Sequence, residues 1–254
     1  MFFTKKDRGF IMTLELRDII DIPVSQQNIL WAAETAIRKL PYTYKGFDPS
    51  RNILDNLFQG DLAKNALITF LQTQGCIITD EYDQIRTDNF TSPNNQGYHF
   101  RCNREAIEVN SSRIPASYPT SLDRITNCDL KVTASDRNNN IIYPSDLPYD
   151  RSYQLYFETP MNYSLTNYPQ LINDIQNAHT NGTLVQDLQQ LTDSLIDILE
   201  VQSRYENTLR GYGQITPQQI EIIRQNNILN NQTSTFDIYS RRFWKCPLNQ
   251  CFPI

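Results

Sequence analysis

The stretch Ala106–Ser112 reads AIEVNSS, and further along Cys128–Val132 reads CDLKV. In an extended strand, side chains two apart point to the same face. Glu108 and Asn110 therefore share one face of the first segment, while Ile107 and Val109 turn the other way into apolar packing. Asp129 and Lys131 share a face of the second, with Leu130 and Val132 behind them. A carboxylate beside an amine or amide on a polar strand edge suits magnesium-dependent phosphodiester chemistry. The metal takes hard oxygen ligands, and the neighbouring cation or donor holds the attacking water and the scissile phosphate. No Gly-rich phosphate loop, G-x-S-x-G elbow or H-E-x-x-H pair competes with it. His99 and His179 are the two histidines of the chain, so imidazole-based triads have little to draw on.

Outward from these segments, Cys76 to Pro160 alternates in strand fashion. The runs CIITD, DQIRTDNF, YHFRC, AIEVNSS, TNCDLKVTAS, NIIY and SYQLYFE are split by Pro, Asn and Gly, which predicts a mixed or antiparallel sheet of five or six strands. Leu14 to Leu57 reads as helical. Ser25 caps QQNILWAAETAIRKL, whose stripe is Ile29, Leu30, Ala33, Ile37 and Leu40, and Pro41 is expected to end that helix. A second helix is expected over Gln59–Gln74, stopped by Gly75. Helical patterns return in TNYPQLINDIQNAH, in a leucine-rich run over Thr183–Leu209, and in Pro217–Leu229 behind a Thr216 cap. The leucine run reads as core or as a dimer seam. The implied organisation is an arm and helical lead-in over 1–57, an α/β core over 58–165, and a helical segment with a tail over 166–254.

Composition bounds the reading. The net charge of −5 over 254 residues excludes a basic nucleic-acid coat, so any DNA contact needs a local basic patch. With 20% charged residues the profile is that of a globular chain. The opening MFFTKKDRGFI has no apolar run long enough for a signal peptide or a membrane span. Five cysteines and no secretory signal point to free thiols in a cytoplasmic protein. Cys246 and Cys251 read as ordinary tail thiols rather than half of a zinc site.

The run Gln59–Arg113 resembles the core of the PD-(D/E)XK, or restriction-endonuclease-like, superfamily. Members carry a helix with an acid, a strand, a strand bearing Asp, then a strand reading (E/D)-x-K. Here the helix is QGDLAKNALITFLQTQG with Asp61, followed by CIITD, GYHF and AIEVNSSR, with DLKVTAS and YQLYF for the remaining strands. The resemblance implies an α/β fold with a restriction-endonuclease-like mixed β-sheet flanked by helices. It also implies a DNA endonuclease dependent on Mg2+ or Mn2+. The chain departs from the pattern at two places. His99 stands where the superfamily has Asp, and Asn110 where it has Lys. In one registration Glu108 and Asn110 act with Asp61, and His99 joins the metal ligands. In the other, Glu108 and Asp129 hold the metal and Lys131 sits beside the water. Arg113, Arg241, Arg242 and Lys245 are candidate DNA contacts, the last three within the basic and aromatic run SRRFWK. The alternative is a catalytically degenerate nuclease-like protein serving as a DNA-binding or assembly module. Plainer readings stand beside these: His99 packed at a sheet edge, Asp61 as a helix-dipole partner, and Arg86 bridging Asp83 and Asp88.

Overall fold

The computed structural model describes residues 14–43, 53–88, 90–91, 96–136, 140–158, 168–199, 209–229, 235–238 and 241–254. Two stacked sheets and a helical layer make up the fold. The larger sheet has six strands in the order β1 (Ile20–Ile22), β7 (Leu209–Ile215), β6 (Arg151–Phe157), β4 (Glu105–Arg113), β3 (Phe100–Cys102) and β2 (Ile78–Thr79). Strands β4 and β6 run parallel and the other pairs antiparallel. The smaller sheet orders β5 (Asp129–Thr133), β9 (Arg241–Pro247) and β8 (Thr235–Ile238), all antiparallel.

The alternation read from the sequence sets the layers. Ile107 and Val109 of β4, with Tyr153, Leu155 and Phe157 of β6, face a core built with α1 (Gln26–Thr43), α2 (Ile53–Thr73), α5 (Tyr168–Thr180) and α6 (Leu184–Leu199). On the opposite face, Ala106, Tyr156 and Tyr212 meet Leu130, Val132, Trp244 and Cys246 of the smaller sheet, together with α4 (Ser121–Asn127) and α7 (Pro217–Leu229). Strand β6 is thus covered on both sides, the usual condition of a strand with a parallel neighbour.

Several expectations are corrected. Pro41 lies buried inside α1, which continues to Thr43, where Thr43 Oγ1 donates to the Lys39 carbonyl at 2.9 Å. Helix α2 begins at Ile53 and runs through Gly60, where the cost of about 1 kcal/mol for a helical glycine is offset by its buried neighbours. Part of YDQIRTDNF is not extended: Tyr82–Ile85 forms a single turn, α3, because Glu81 caps it by accepting from Gln84 N at 2.8 Å. NIIY contributes one isolated bridge, Ser135 to Ile141, and no strand. The leucine-rich helix is described over Leu184–Leu199, Leu209 opens β7, and residues 200–208 lie outside the described residues. Strand β7 joins β1 to β6, so the first and last stretches of chain complete the central sheet instead of standing apart from it. Leu188, Leu191, Leu195 and Leu199 are buried in the core shared with α1 and α5, and the leucine stripe is therefore an internal seam. Among the described residues no helix is long and apolar enough to cross a membrane.

Candidate functional site

The face of β4 turned away from α2 carries Glu108, Asn110 and Ser112, and the parallel neighbour β6 presents Ser152 and Gln154 beside them. The residues interlock. Asn110 Nδ2 donates to Ser152 Oγ at 2.7 Å, and Gln154 Nε2 donates to Ser112 Oγ at 3.2 Å. Ser152 and Gln154 are buried, whereas Glu108, Asn110 and Ser112 are half-buried. Because Phe100 pairs with Ile107, the residue before β3 comes to lie beside Glu108. That residue is His99, whose N–H donates to the Ile107 carbonyl at 2.8 Å. Its Nδ1 lies 3.1 Å from Glu108 Oε2 and accepts from Val109 N–H at 3.1 Å. Tyr149 is buried within reach of the Glu108 charge, and burial, reinforced by that charge, pushes its phenol well above the ordinary tyrosine range, so it stays neutral.

The first registration is assembled only in part: His99, Glu108 and Asn110 lie together on one face of the sheet, while Asp61 lies in a charge cluster with Lys39 and Lys64. Their chemistry differs from that of a magnesium site. They offer one carboxylate, one imidazole and one amide, where magnesium takes several hard oxygens. The neutral imidazole that accepts from Val109 carries its hydrogen on Nε2, and a proton moved to Nδ1 instead joins the ring to Glu108. Nδ1 is committed within the protein in both cases, and a Glu108 oxygen is committed in the second. Among the described residues no group of three or more His, Cys, Asp or Glu is arranged to hold a metal ion. These residues do not fit Mg2+ or Mn2+ as the resemblance would have them.

The remaining candidates lie elsewhere. Asp129 and Lys131 belong to β5 in the smaller sheet. The Asp129 carboxylate sits 3.3 Å from Lys245 Nζ, and burial holds it above the usual carboxylate range. Strand CDLKV is thus not part of the sheet that holds Glu108, contrary to the expectation drawn from DLKVTAS. Arg113 points back to α2. Its guanidinium donates to Asp55, to Gln59 Oε1 at 3.1 Å and to Asn56 Oδ1 at 3.5 Å, which makes it a strut between β4 and α2 rather than an open phosphate contact. Arg242 is half-buried opposite Asp237, and Lys245 is exposed. The Arg241 side chain lies outside the described residues.

Asp61 occupies a buried charge cluster. Its Oδ1 lies 2.6 Å from Lys39 Nζ and 3.8 Å from Lys64 Nζ. Lys39 also contacts Asp83 at 2.9 Å, and Lys64 binds Glu81 at 2.5 Å and Asp83 directly. Burial holds the Asp61 carboxyl above its ordinary range against the pull of both lysines. The same lysines, working against burial, hold Asp83 below it. Of the charge network expected around Arg86, the pairing with Asp88 is present at 2.7 and 2.9 Å, while Asp83 turns inward to the lysines.

The strand runs gave no reason to single out Ser112, Ser152 and Gln154. Their signal is the pair of polar residues Ser152 and Gln154 in SYQLYF, on a strand that is covered on both faces. Gly97 fixes the approach to His99. Its φ is +76°, and an added Cβ would fall 2.4 Å from Pro148 Cγ. Gly97→Ala is expected to lower stability by about 2 kcal/mol or more, from the left-handed backbone and the overlap together. Urea denaturation checks this, and a loss under about 0.5 kcal/mol would mean that the turn yields freely. In comparisons with known proteins, no protein-family model, no curated protein and no solved structure matches the chain.

Proposed function

We propose that this chain is a catalytically degenerate, restriction-endonuclease-like protein that acts on DNA as a binding or assembly module and does not cleave it. The observation that carries this reading is the mutual engagement of the site residues. Glu108 faces the His99 imidazole at 3.1 Å, and Asn110 is bound to Ser152. A single carboxylate facing an imidazole beside a neutral amide lacks both the second hard ligand and the cation that phosphodiester hydrolysis uses. Support for the scaffold comes from the chain order. Helix α2 is followed by β2, the single turn α3, β3 and β4, in keeping with the helix-then-three-strands order that the resemblance implies; α4, β5 of the smaller sheet and β6, parallel to β4, come after.

The second reading is the Mg2+- or Mn2+-dependent endonuclease itself. It is favoured by Glu108, whose side chain remains 27% exposed on the same face as Asn110. A plasmid-nicking assay with magnesium or manganese separates the two. The degenerate reading expects no nicking by the wild type and no change with Glu108→Ala. Nicking that Glu108→Ala abolishes would establish the endonuclease. The double change His99→Asp with Asn110→Lys supplies the missing carboxylate and cation, and its expected result is nicking that the wild type lacks.

A further inference from the structure

Two cysteines meet where the end of α2 passes the hairpin of β3 and β4. Strand β2 pairs with β3 so that Ile78 lies opposite Cys102. One position earlier the pairing continues: Asn103 N–H donates to the Ile77 carbonyl at 2.9 Å, and Ile77 N–H donates to Asn103 Oδ1 at 2.9 Å. Side chains two apart share a face, which makes Cys76 the diagonal neighbour of Cys102. Burial agrees with that register. Ile77 is 71% exposed, whereas Cys76 and Ile78 pack against the core to which Cys102 belongs. Burial, followed by a hydrogen bond shared with Cys76, pushes the Cys102 thiol up to about 12. The two thiols differ in access: of the five cysteines, Cys76 alone is not buried, and Cys128, Cys246 and Cys251 belong to the other core. Gly75, at φ +82° with open space around it, gives Cys76 room to approach its partner.

We propose that Cys76 and Cys102 are an oxidation site, which a small hydroperoxide converts to a disulfide with Cys76 reacting first and Cys102 resolving. The Cys76 sulfur attacks one peroxide oxygen and the O–O bond breaks. The other oxygen leaves with the thiol proton, as water or an alcohol, and Cys76 becomes a sulfenic acid. The Cys102 sulfur then attacks the Cys76 sulfur, the S–O bond breaks, and the hydroxyl leaves with the Cys102 proton as a second water. Two thiols are oxidised by two electrons in all, and one hydroperoxide is reduced by two. Access sets the order, since a small oxidant reaches the half-buried Cys76 before the buried Cys102. The raised Cys102 thiol makes the second step the slower one, so the sulfenic acid on Cys76 accumulates before the link closes. The link would tie the end of α2 to the hairpin that carries His99 and Glu108, and its formation is independent of DNA binding.

Treatment of the reduced full chain with hydrogen peroxide tests this, with remaining thiols alkylated under native conditions and the cysteine peptides mapped by mass spectrometry. The expected product is a Cys76–Cys102 link that dithiothreitol reverses, with Cys128, Cys246 and Cys251 unchanged. Dimedone added with the peroxide is expected to capture Cys76 as its adduct and to lower the yield of the link. Cys102→Ala is expected to abolish the link and to leave Cys76 as the dimedone adduct. Cys76→Ser, at the half-buried position, is expected to abolish the link and to leave Cys102 as an unoxidised thiol. A link between other cysteines, a dimedone adduct on Cys102 in place of Cys76, or a Cys76 sulfenic acid that never closes onto Cys102 in the wild type would overturn the proposal. So would a Cys76 that stays a thiol while peroxide oxidises the methionines of the same sample.

Discussion

Replacing Lys64 with Met is expected to destabilise the fold by about 3–5 kcal/mol, the range for removing one partner of a buried ion pair. Lys64 is 1% exposed and its ammonium is the counter-charge of Glu81 and Asp83, with Asp61 a little farther off. The carboxylates, outweighing burial, hold it above the ordinary lysine range, so it is charged throughout the accessible pH range. The Trp31 ring lies 4.5 Å from the same Nζ and adds a cation–π contact. Met preserves the length of the stem and removes the charge, leaving Glu81 without its lysine and Asp61 and Asp83 with Lys39 alone. Lys39 is better placed to lose its contacts, since its side chain is 19% exposed and water can take its place. Lys39→Met should therefore cost clearly less than Lys64→Met. Urea denaturation at neutral pH measures both, with the m-value as a check that the unfolding transition itself is unchanged. Adding Glu81→Gln to Lys64→Met should recover part of the loss, because it removes one of the stranded charges. A loss below about 1 kcal/mol for Lys64→Met would mean that the cluster is solvated and that its burial does not govern its energetics.

This cluster also marks where the sequence was legible and where it was not. Period-2 alternation announced β4 and β6 because each face of those strands has its own core to fill: Ile107 and Val109 on one side, Ala106 on the other. The stripes of α1 and α6 were legible for the same reason, although the leucines of α6 gave no sign of whether their partner was another helix of this chain or a second copy. The convergence of His99 on Glu108 followed from a hairpin register that the spacing already contained. What the sequence concealed depends on contacts distant along the chain. Asp61, Asp83 and Lys39 come from three separate helices, and nothing local distinguishes a buried Asp61 from an exposed one at the start of a helix. Strand β5 has the alternation of β4, which points to one shared sheet, but its hydrogen-bonding partner is β9, more than a hundred residues further on. LRGYGQI was hidden by its two glycines, which weaken a strand pattern. One of them, Gly213, has φ +150° and an added Cβ there would approach the Phe252 carbonyl at 3.0 Å.

The second large effect is expected where the two sheets meet. Arg124 of α4 is 1% exposed. It donates to the Tyr118 carbonyl at 3.2 Å, to the Pro119 carbonyl, to Glu158 Oε1 at 2.6 Å and to Tyr212 Oη at 2.5 Å. Tyr212 belongs to β7, Glu158 directly follows β6, and α4 packs against β9, so one guanidinium joins the central sheet to the layer over it. Tyr212 is further held by Ser121 Oγ at 2.8 Å and by an edge-on contact with Tyr156. Arg124→Met leaves two carbonyls without a donor and Glu158 without its cation, at an expected cost of about 3–5 kcal/mol. Arg124→Lys is expected to recover little of that, because a single ammonium cannot reach the carbonyls on one side and the carboxylate and phenol on the other as a planar fork does. Near-ultraviolet circular dichroism provides a second measurement. Loss of the Tyr212 environment should appear there at denaturant concentrations that leave the far-ultraviolet signal of α1 and α2 intact, because those helices belong to the other core. Should Arg124→Lys prove as stable as the wild type, the fork would have no special part in joining the layers, and apolar packing around Leu130 and Trp244 would be sufficient to hold them.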